Sequence, residues 1–187
     1  MESENSISGE SWKGKLLVAS PSLTEATFER TVILLLDHSK TDGAIGYVLN
    51  RSTQSVVGDL MEQPEFEKLN AVPVFEGGPV SQENLVFTSF GWNETDGKLQ
   101  FMSHLSTAEA NQHLQEGFSV RAFVGYSGWS AGQLEAEMEC ETWTLADPSR
   151  QILTLEALGT QLWGDLIRDL SPIHRLAADM PDDLSLN

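Results

Sequence analysis

The chain predicts an α+β protein, with a mixed but mainly antiparallel sheet covered by helices. Three observations carry this. Asp42-Gly43 and Asp96-Gly97 each sit between strand-like runs, the mark of a hairpin. Ser106-x-x-Glu109 is a capping box that opens a helix. Strands and helices are interspersed, but two hairpins exclude a strictly alternating parallel sheet.

In chain order, residues 1–12 read as a flexible tail, and one domain spans 13–176. "GKLLVAS" (14–20) is a short apolar strand ended by Pro21, where a polar connection begins. "RTVILLLDHS" (30–39) has the unbroken apolar run of a strand buried on both faces. "DGAIGYVLN" (42–50) pairs with it across the first hairpin. In "SVVGDLME" (55–62), Val56, Val57, Leu60 and Met61 share one face of an expected helix. "VPVFEGGPV" (72–80) is a strand running into a glycine-proline turn. "ENLVFTSF" (83–90) and "KLQFMSHL" (98–105) form the second hairpin. The capping box starts a helix over 107–116, and Gly117 stops it. "SVRAFVGYS" (119–127) is a strand, 131–140 a helix, and "TWTLA" (142–146) a strand. Leu155, Leu158, Leu162, Trp163, Leu166 and Leu170 make the stripe of a last helix, which Pro172 ends. Residues 177–187 read as an acidic tail.

Composition narrows the function classes. Apolar content is 40%, ordinary for a soluble domain, and no apolar run reaches the roughly 20 residues needed to span a bilayer. The start "MESENSISGESW" lacks a basic, then apolar, signal peptide, so the expectation is a cytoplasmic protein. The lone Cys140 excludes an intramolecular disulfide and fits a reducing compartment. The 28 acidic and 11 basic residues give a net charge of −17, and only Lys13 and Lys15 lie close together in sequence. A phosphate backbone would be repelled, so direct nucleic-acid or anionic-membrane binding is not expected.

Gly128-Trp129-Ser130-Ala131-Gly132 matches the G-x-S-x-G nucleophile elbow. Asp147, Asp165 or Asp169 would then supply the acid, and His174 is the only later histidine. The alternative is structural: Ser130 and Gln133 form S-x-x-Q, a capping box at a helix start. This second reading expects Ser130 to be the N-cap, accepting a bond from the N–H of residue 132 or 133. His38, His104, His113 and His174 show no metal-ligand spacing, and no metal or cofactor is expected. "EGGPV" (76–80) lacks the Gly-Lys-Ser/Thr ending of a P-loop. Asn50-Arg51 reads either as an anion contact or as a strand-end cap. The Glu135, Glu137, Glu139 and Glu141 series reads as a solvated surface.

"GKLLVASPSLTEATFERTVILLLDHSKTDGAIGYVLNR" (14–51), "VPVFEGGPV" (72–80) and "FVGYSGWSAGQLEAEM" (123–138) together resemble the YqgE/AlgH family, also called UPF0301. The family's third landmark is matched by Gly125, Tyr126, Gly128, Trp129, Gly132, Gln133, Leu134 and Glu135, and it leaves the serine slot open. The resemblance implies a bacterial cytosolic protein whose bent sheet curls into a pseudo-barrel. It implies no reaction, although one branch is named as a regulator of alginate synthesis. The matched stretches fall at turns, where binding residues concentrate. The expected role is non-enzymatic, regulatory or interacting, with a protein or small-molecule partner. The alternative is a hydrolase using Ser130 or a site assembled from scattered residues. Asn50, Arg51, Glu76, Gly77, Gly78, Gly128, Trp129 and Gln133 form the candidate binding surface, expected to gather in one cleft.

Overall fold

The computed structural model describes residues 11–154 and 159–170. Its element order is β1 (Leu16–Ala19), β2 (Val32–Ser39), β3 (Gly43–Val48), β4 (Ser52–Val56), α1 (Val57–Leu60), β5 (Pro73–Glu76), β6 (Val80–Asn93), β7 (Lys98–Leu105), α2 (Thr107–Gln115), β8 (Ser119–Trp129), α3 (Gln133–Glu139), β9 (Trp143–Ala146) and α4 (Thr160–Leu170). Short 3-10 turns over Pro64–Leu69 and Arg150–Leu153 complete it.

The strands join in the order β4-β5-β8-β3-β2-β1-β9, with β6 also paired to β8 and β7 to β6. All pairings among the described residues are antiparallel except β5 with β8. Both expected hairpins form, β2–β3 and β6–β7. β8 is the hinge of the architecture. Its first half lies between β5 and β6, and its end, Ser127–Trp129, pairs with β3. Gly125, at φ +68°, lies between the two halves. One strand thus belongs to two half-sheets, and the mixed sheet curls into a half-barrel with helices outside it.

The strand 30–39 was expected to be buried on both faces, and Val32–Leu35 are fully buried. Together with Leu16–Ala19, Phe75, Phe90 and Phe123 they form the main core. On α4, Leu162, Trp163, Leu166 and Ile167 are buried, and the Trp163 indole donates to the Ala19 carbonyl at 2.8 Å. Leu155 and Leu158 lie outside the described residues. A second core under α2 holds Val57, Leu69, Val74, Phe87 and Ala110.

Two departures have physical causes. The expected helix over 55–62 shrinks to one turn, because β4 takes Ser52–Val56 into pairing with β5. Val57 is buried, but Leu60 is 51% exposed. Ser11 and Trp12, assigned to the tail by sequence, are held to β2. The Ser11 hydroxyl donates to the His38 carbonyl, the Trp12 N–H donates to His38 Nδ1 at 3.1 Å, and the two rings stack at 4.4 Å.

The core also holds a charge. Arg121 on β8 is fully buried; Nη2 donates to the Ile152 carbonyl, while Nε and Nη1 have no partner. Its guanidinium lies 4.9 Å from the Phe90 ring centre and 5.7 Å from that of Phe75. Burial pulls its pKa down to about 10, so it remains a cation at neutral pH. Nearby, the Tyr47 hydroxyl bonds Ser103 at 3.2 Å, and Ser103 bonds Thr88 at 3.0 Å.

Candidate functional site

The G-x-S-x-G segment lies where β8 ends and α3 begins. The N-cap of α3 is Gly132, at φ +74°, and not Ser130. Gln133 Oε1 accepts the Ser130 backbone N–H at 3.1 Å, as the capping box expects. The reciprocal bond does not form, because the Ser130 hydroxyl donates to the same Oε1 at 3.0 Å. The glutamine oxygen takes both donors, and the Gln133 N–H goes to the Ser130 backbone carbonyl at 3.0 Å and not to its hydroxyl. As a nucleophile, Ser130 would need a base, and an amide oxygen is not one. Asp147 is paired with Lys15 at 2.6 Å and Asp165 with Arg168 at 2.7 Å. His174 lies outside the described residues.

The rest of the third landmark packs the fold. Glu137 Oε2 accepts two indole N–H groups, Trp129 at 2.9 Å and Trp143 at 2.7 Å. Gln133 Nε2 donates to the other oxygen of the same carboxylate at 3.0 Å. Glu135 Oε1 sits 3.2 Å from His38 Nε2. Because His38 Nδ1 accepts from Trp12, Nε2 carries the proton and donates to Glu135. The glutamate series is therefore not uniformly solvated, as the sequence reading has it. Glu135 and Glu137 face partners, and Glu139 and Glu141 face solvent. Leu134 and Met138 pack α3 against the main core, which turns Glu135 and Glu137 toward partners.

Asn50 and Arg51 follow β3. Asn50 is buried and ties three segments together. Its Oδ1 accepts from Val32, and its Nδ2 donates to the carbonyls of Arg30 and Gly159 at 2.9 and 3.1 Å. Arg51 donates to the Ala26 carbonyl at 2.7 Å. Its own carbonyl accepts from the Glu76 N–H at 2.9 Å. Gly77 bridges the other way: its N–H donates to Val124, and its carbonyl accepts from Val48 and from the Ser127 hydroxyl at 3.2 Å. A side chain on Gly77 would place Cβ 2.3 Å from the Gly125 carbonyl oxygen, so only glycine allows this crossing.

A cleft of about 270 Å³ opens here, lined by Thr27, Arg51, Glu76, Gly78, Pro79 and Gln82 among others. The fold thus gathers Arg51, Glu76 and Gly78 with the turn at 76–80, and sets Gly77 and Asn50 behind them. It does not gather Gly128, Trp129 and Gln133. Trp129 pairs with Ala44, at the far end of β3 from Val48. Ala26, Thr27 and Gln82 enter the cleft unannounced, since the 20–30 connection and the irregular start of β6 carry no periodic signal.

The fold also collects charge that the sequence scatters. Lys13, Lys15 and Lys98 line a cleft of about 510 Å³, with Asp96 and Asp147 between them. Among the described residues no group of three His, Cys, Asp or Glu is placed to hold a metal ion. No helix of the described residues is long and apolar enough to cross a membrane.

These features match known proteins over most of the chain. The AlgH-like family profile matches residues 16–174. A UPF0301 protein of Streptomyces coelicolor is 34% identical over 188 residues, covering 93% of this chain and 94% of that protein. One from Chlorobium phaeobacteroides is 31% identical over 182 residues, covering 93% and 95%. The solution structure of the AlgH protein from Pseudomonas aeruginosa has the same fold, with a TM-score of 0.64 and 23% identity over 94% of this chain and 98% of that one. A crystal structure from Corynebacterium diphtheriae gives a TM-score of 0.69 at 24% identity, covering 89% and 91%. The chain belongs to the AlgH-like family, the UPF0301 proteins.

Proposed function

We propose that the chain is a non-enzymatic binding protein with a regulatory role in the cytoplasm, and that its partner docks at the Arg51–Glu76 cleft. The observation that carries this is convergence. Two of the stretches that define the family resemblance, 14–51 and 72–80, meet there around one guanidinium and one carboxylate. Part of the third, at 124–127, forms the wall behind them. Neither charge is needed to hold the core, since Glu76 is exposed and Arg51 half-buried. A cleft offering one cation beside one anion suits a polar partner, a small molecule or a peptide segment, and the net charge of −17 keeps nucleic acid away.

The hydrolase alternative has no support at Ser130, whose hydroxyl is engaged by Gln133. The test is capture from native cell extract with the wild-type chain and with Arg51→Ala and Glu76→Ala. Mass spectrometry of bound proteins and metabolites should find a partner held by the wild type and lost from both variants, with both variants folded by circular dichroism. Equal capture by all three removes the cleft from the account. Labelling of Ser130 by a fluorophosphonate probe would replace the binding reading with the hydrolase.

A further inference from the structure

Two bulges and a bend meet at one point of the sheet. On β6, Ser81, Gln82, Glu83 and Asn84 stand opposite Gly125 alone, between the Val80–Tyr126 and Leu85–Val124 pairs. On β7, His104 is the extra residue between the Ser103–Thr88 and Leu105–Phe87 pairs. All three strands are forced into left-handed backbone there: Ser81 at φ +53°, His104 at φ +61° and Gly125 at φ +68°. Glycine relaxes such a position, whereas serine and histidine hold it under strain. Strained non-glycine residues persist where the surroundings over-determine them, and bulges re-aim side chains beside sites.

The bulges enclose a cleft of about 220 Å³, separate from the Arg51–Glu76 cleft and reached from the same 78–84 segment. Ile45, Val86 and Tyr126 give it apolar walls, and Ser81, Asn84 and His104 give it a polar edge. Its lining contains no Lys, Arg, Asp or Glu. The Tyr126 ring lies over Gly128, where an added Cβ would come 3.2 Å from a ring carbon, so the landmark glycine leaves the ring its place. Behind the cleft, the Tyr47 hydroxyl is held by Ser103. The volume lies below the 300–1,000 Å³ usual for drug-sized ligands and matches one ring system. With no cation in the lining and a strongly negative molecule around it, an anionic ligand is disfavoured.

We propose that this double-bulge cleft binds a small uncharged heteroaromatic molecule, stacked on Tyr126 and hydrogen-bonded at its edge by Asn84 and His104. His104 is then kept at a glycine-favouring position because its imidazole contacts the ligand. The test uses the full chain, labelled for amide NMR and titrated with adenine, adenosine and adenosine monophosphate. Adenine and adenosine should shift the amides of Ser81, Asn84, His104, Gly125 and Tyr126 saturably. The monophosphate should bind about tenfold more weakly, because its charge meets an uncompensated negative field. Asn84→Ala should weaken adenosine about tenfold, the loss of one hydrogen bond. His104→Gly should raise the melting temperature by relieving the backbone while weakening adenosine. No saturable shift at millimolar adenine or adenosine overturns the proposal, as does equal binding of the monophosphate. Shifts confined to Thr27, Arg51 and Glu76 also overturn it and leave the other cleft's role standing. A His104→Gly chain that gains stability and keeps full affinity overturns the role given to the imidazole.

Discussion

Glu137 is a carboxylate with two indole donors on one oxygen and an amide donor on the other. Single residues of this kind decide what the family landmark does. Replacing Glu137 with alanine would leave the Trp129 and Trp143 N–H groups half-buried without partners, at about 1–3 kcal/mol for each group stranded. Ser130, by contrast, caps nothing. Ser130→Ala should change stability by less than about 0.5 kcal/mol, the usual range for a surface site. Gly132→Ala should cost about 1 kcal/mol or more, because Gly132 holds φ +74° at the true N-cap. Urea unfolding of both variants separates the assignments; a larger loss at Ser130 than at Gly132 would restore the serine cap. Arg121 makes a prediction of opposite sign. Its two unpartnered nitrogens, Nε and Nη1, are buried with the charge, so Arg121→Met should stabilise the fold at pH 7 by about 1–2 kcal/mol. Burial holds the folded residue's pKa at about 10, well below that of the free side chain. Above about pH 10 the unfolded chain therefore binds more protons, and Arg121's burial cost fades as pH rises. The advantage of methionine should shrink in step, as read from paired thermal melts between neutral and alkaline pH. An advantage independent of pH would mean that charge is not the cause.

At the scale of elements, β8 carries the most consequence. It forms three pairings because Gly125 turns it from the β5–β6 side to the β3 side. A Cβ at Gly125 would lie 2.4 Å from the Gly78 carbonyl oxygen as well as requiring φ +68°. Gly125→Ala should therefore cost well beyond the ordinary glycine penalty of about 1 kcal/mol and deplete soluble, folded chain, checked by circular dichroism and yield. α2 shows what local sequence can specify unaided. Ser106 accepts the Glu109 N–H, and the Glu109 carboxylate accepts the Ser106 N–H at 2.8 Å, as the spacing predicts. The Ser106 hydroxyl, which donates to the Glu109 carboxylate at 2.7 Å, and then the Ser106 N–H hold that carboxyl below its usual pKa. β4 and α1 show the converse. Val56 and Val57 suit a helical face and a strand equally, and only the availability of β5 as a partner settled Ser52–Val56 as strand.

For the whole molecule, charge is the governing quantity. At −17 the native state repels itself, and salt should relieve it. Raising ionic strength from about 0.01 M to about 1 M shortens the screening length from about 30 Å to about 3 Å. The melting temperature should rise across that range, and a flat or falling curve by calorimetry would show that paired contacts such as Lys15–Asp147 matter more than the net field.

The sequence by itself determined the α+β class, both hairpins, α2 and the buried identity of β2. Each rests on signals within a few residues: a turn dipeptide, a capping spacing, an unbroken apolar run. It also determined that the molecule is acidic and that Arg51 and Glu76 sit at turns. The tertiary structure decided the rest, because pairing partners far apart in sequence leave no local trace. That is why β5 beside β8 was not legible, nor the meeting of Arg51 with Glu76, nor the gathering of Lys98 with Lys13 and Lys15. It is also why Gly128, Trp129 and Gln133, grouped with the cleft by their motif, lie elsewhere. The pairing of β8 with β3 puts them at the far end of β3, where two of them serve the glutamate that holds α3 to the core.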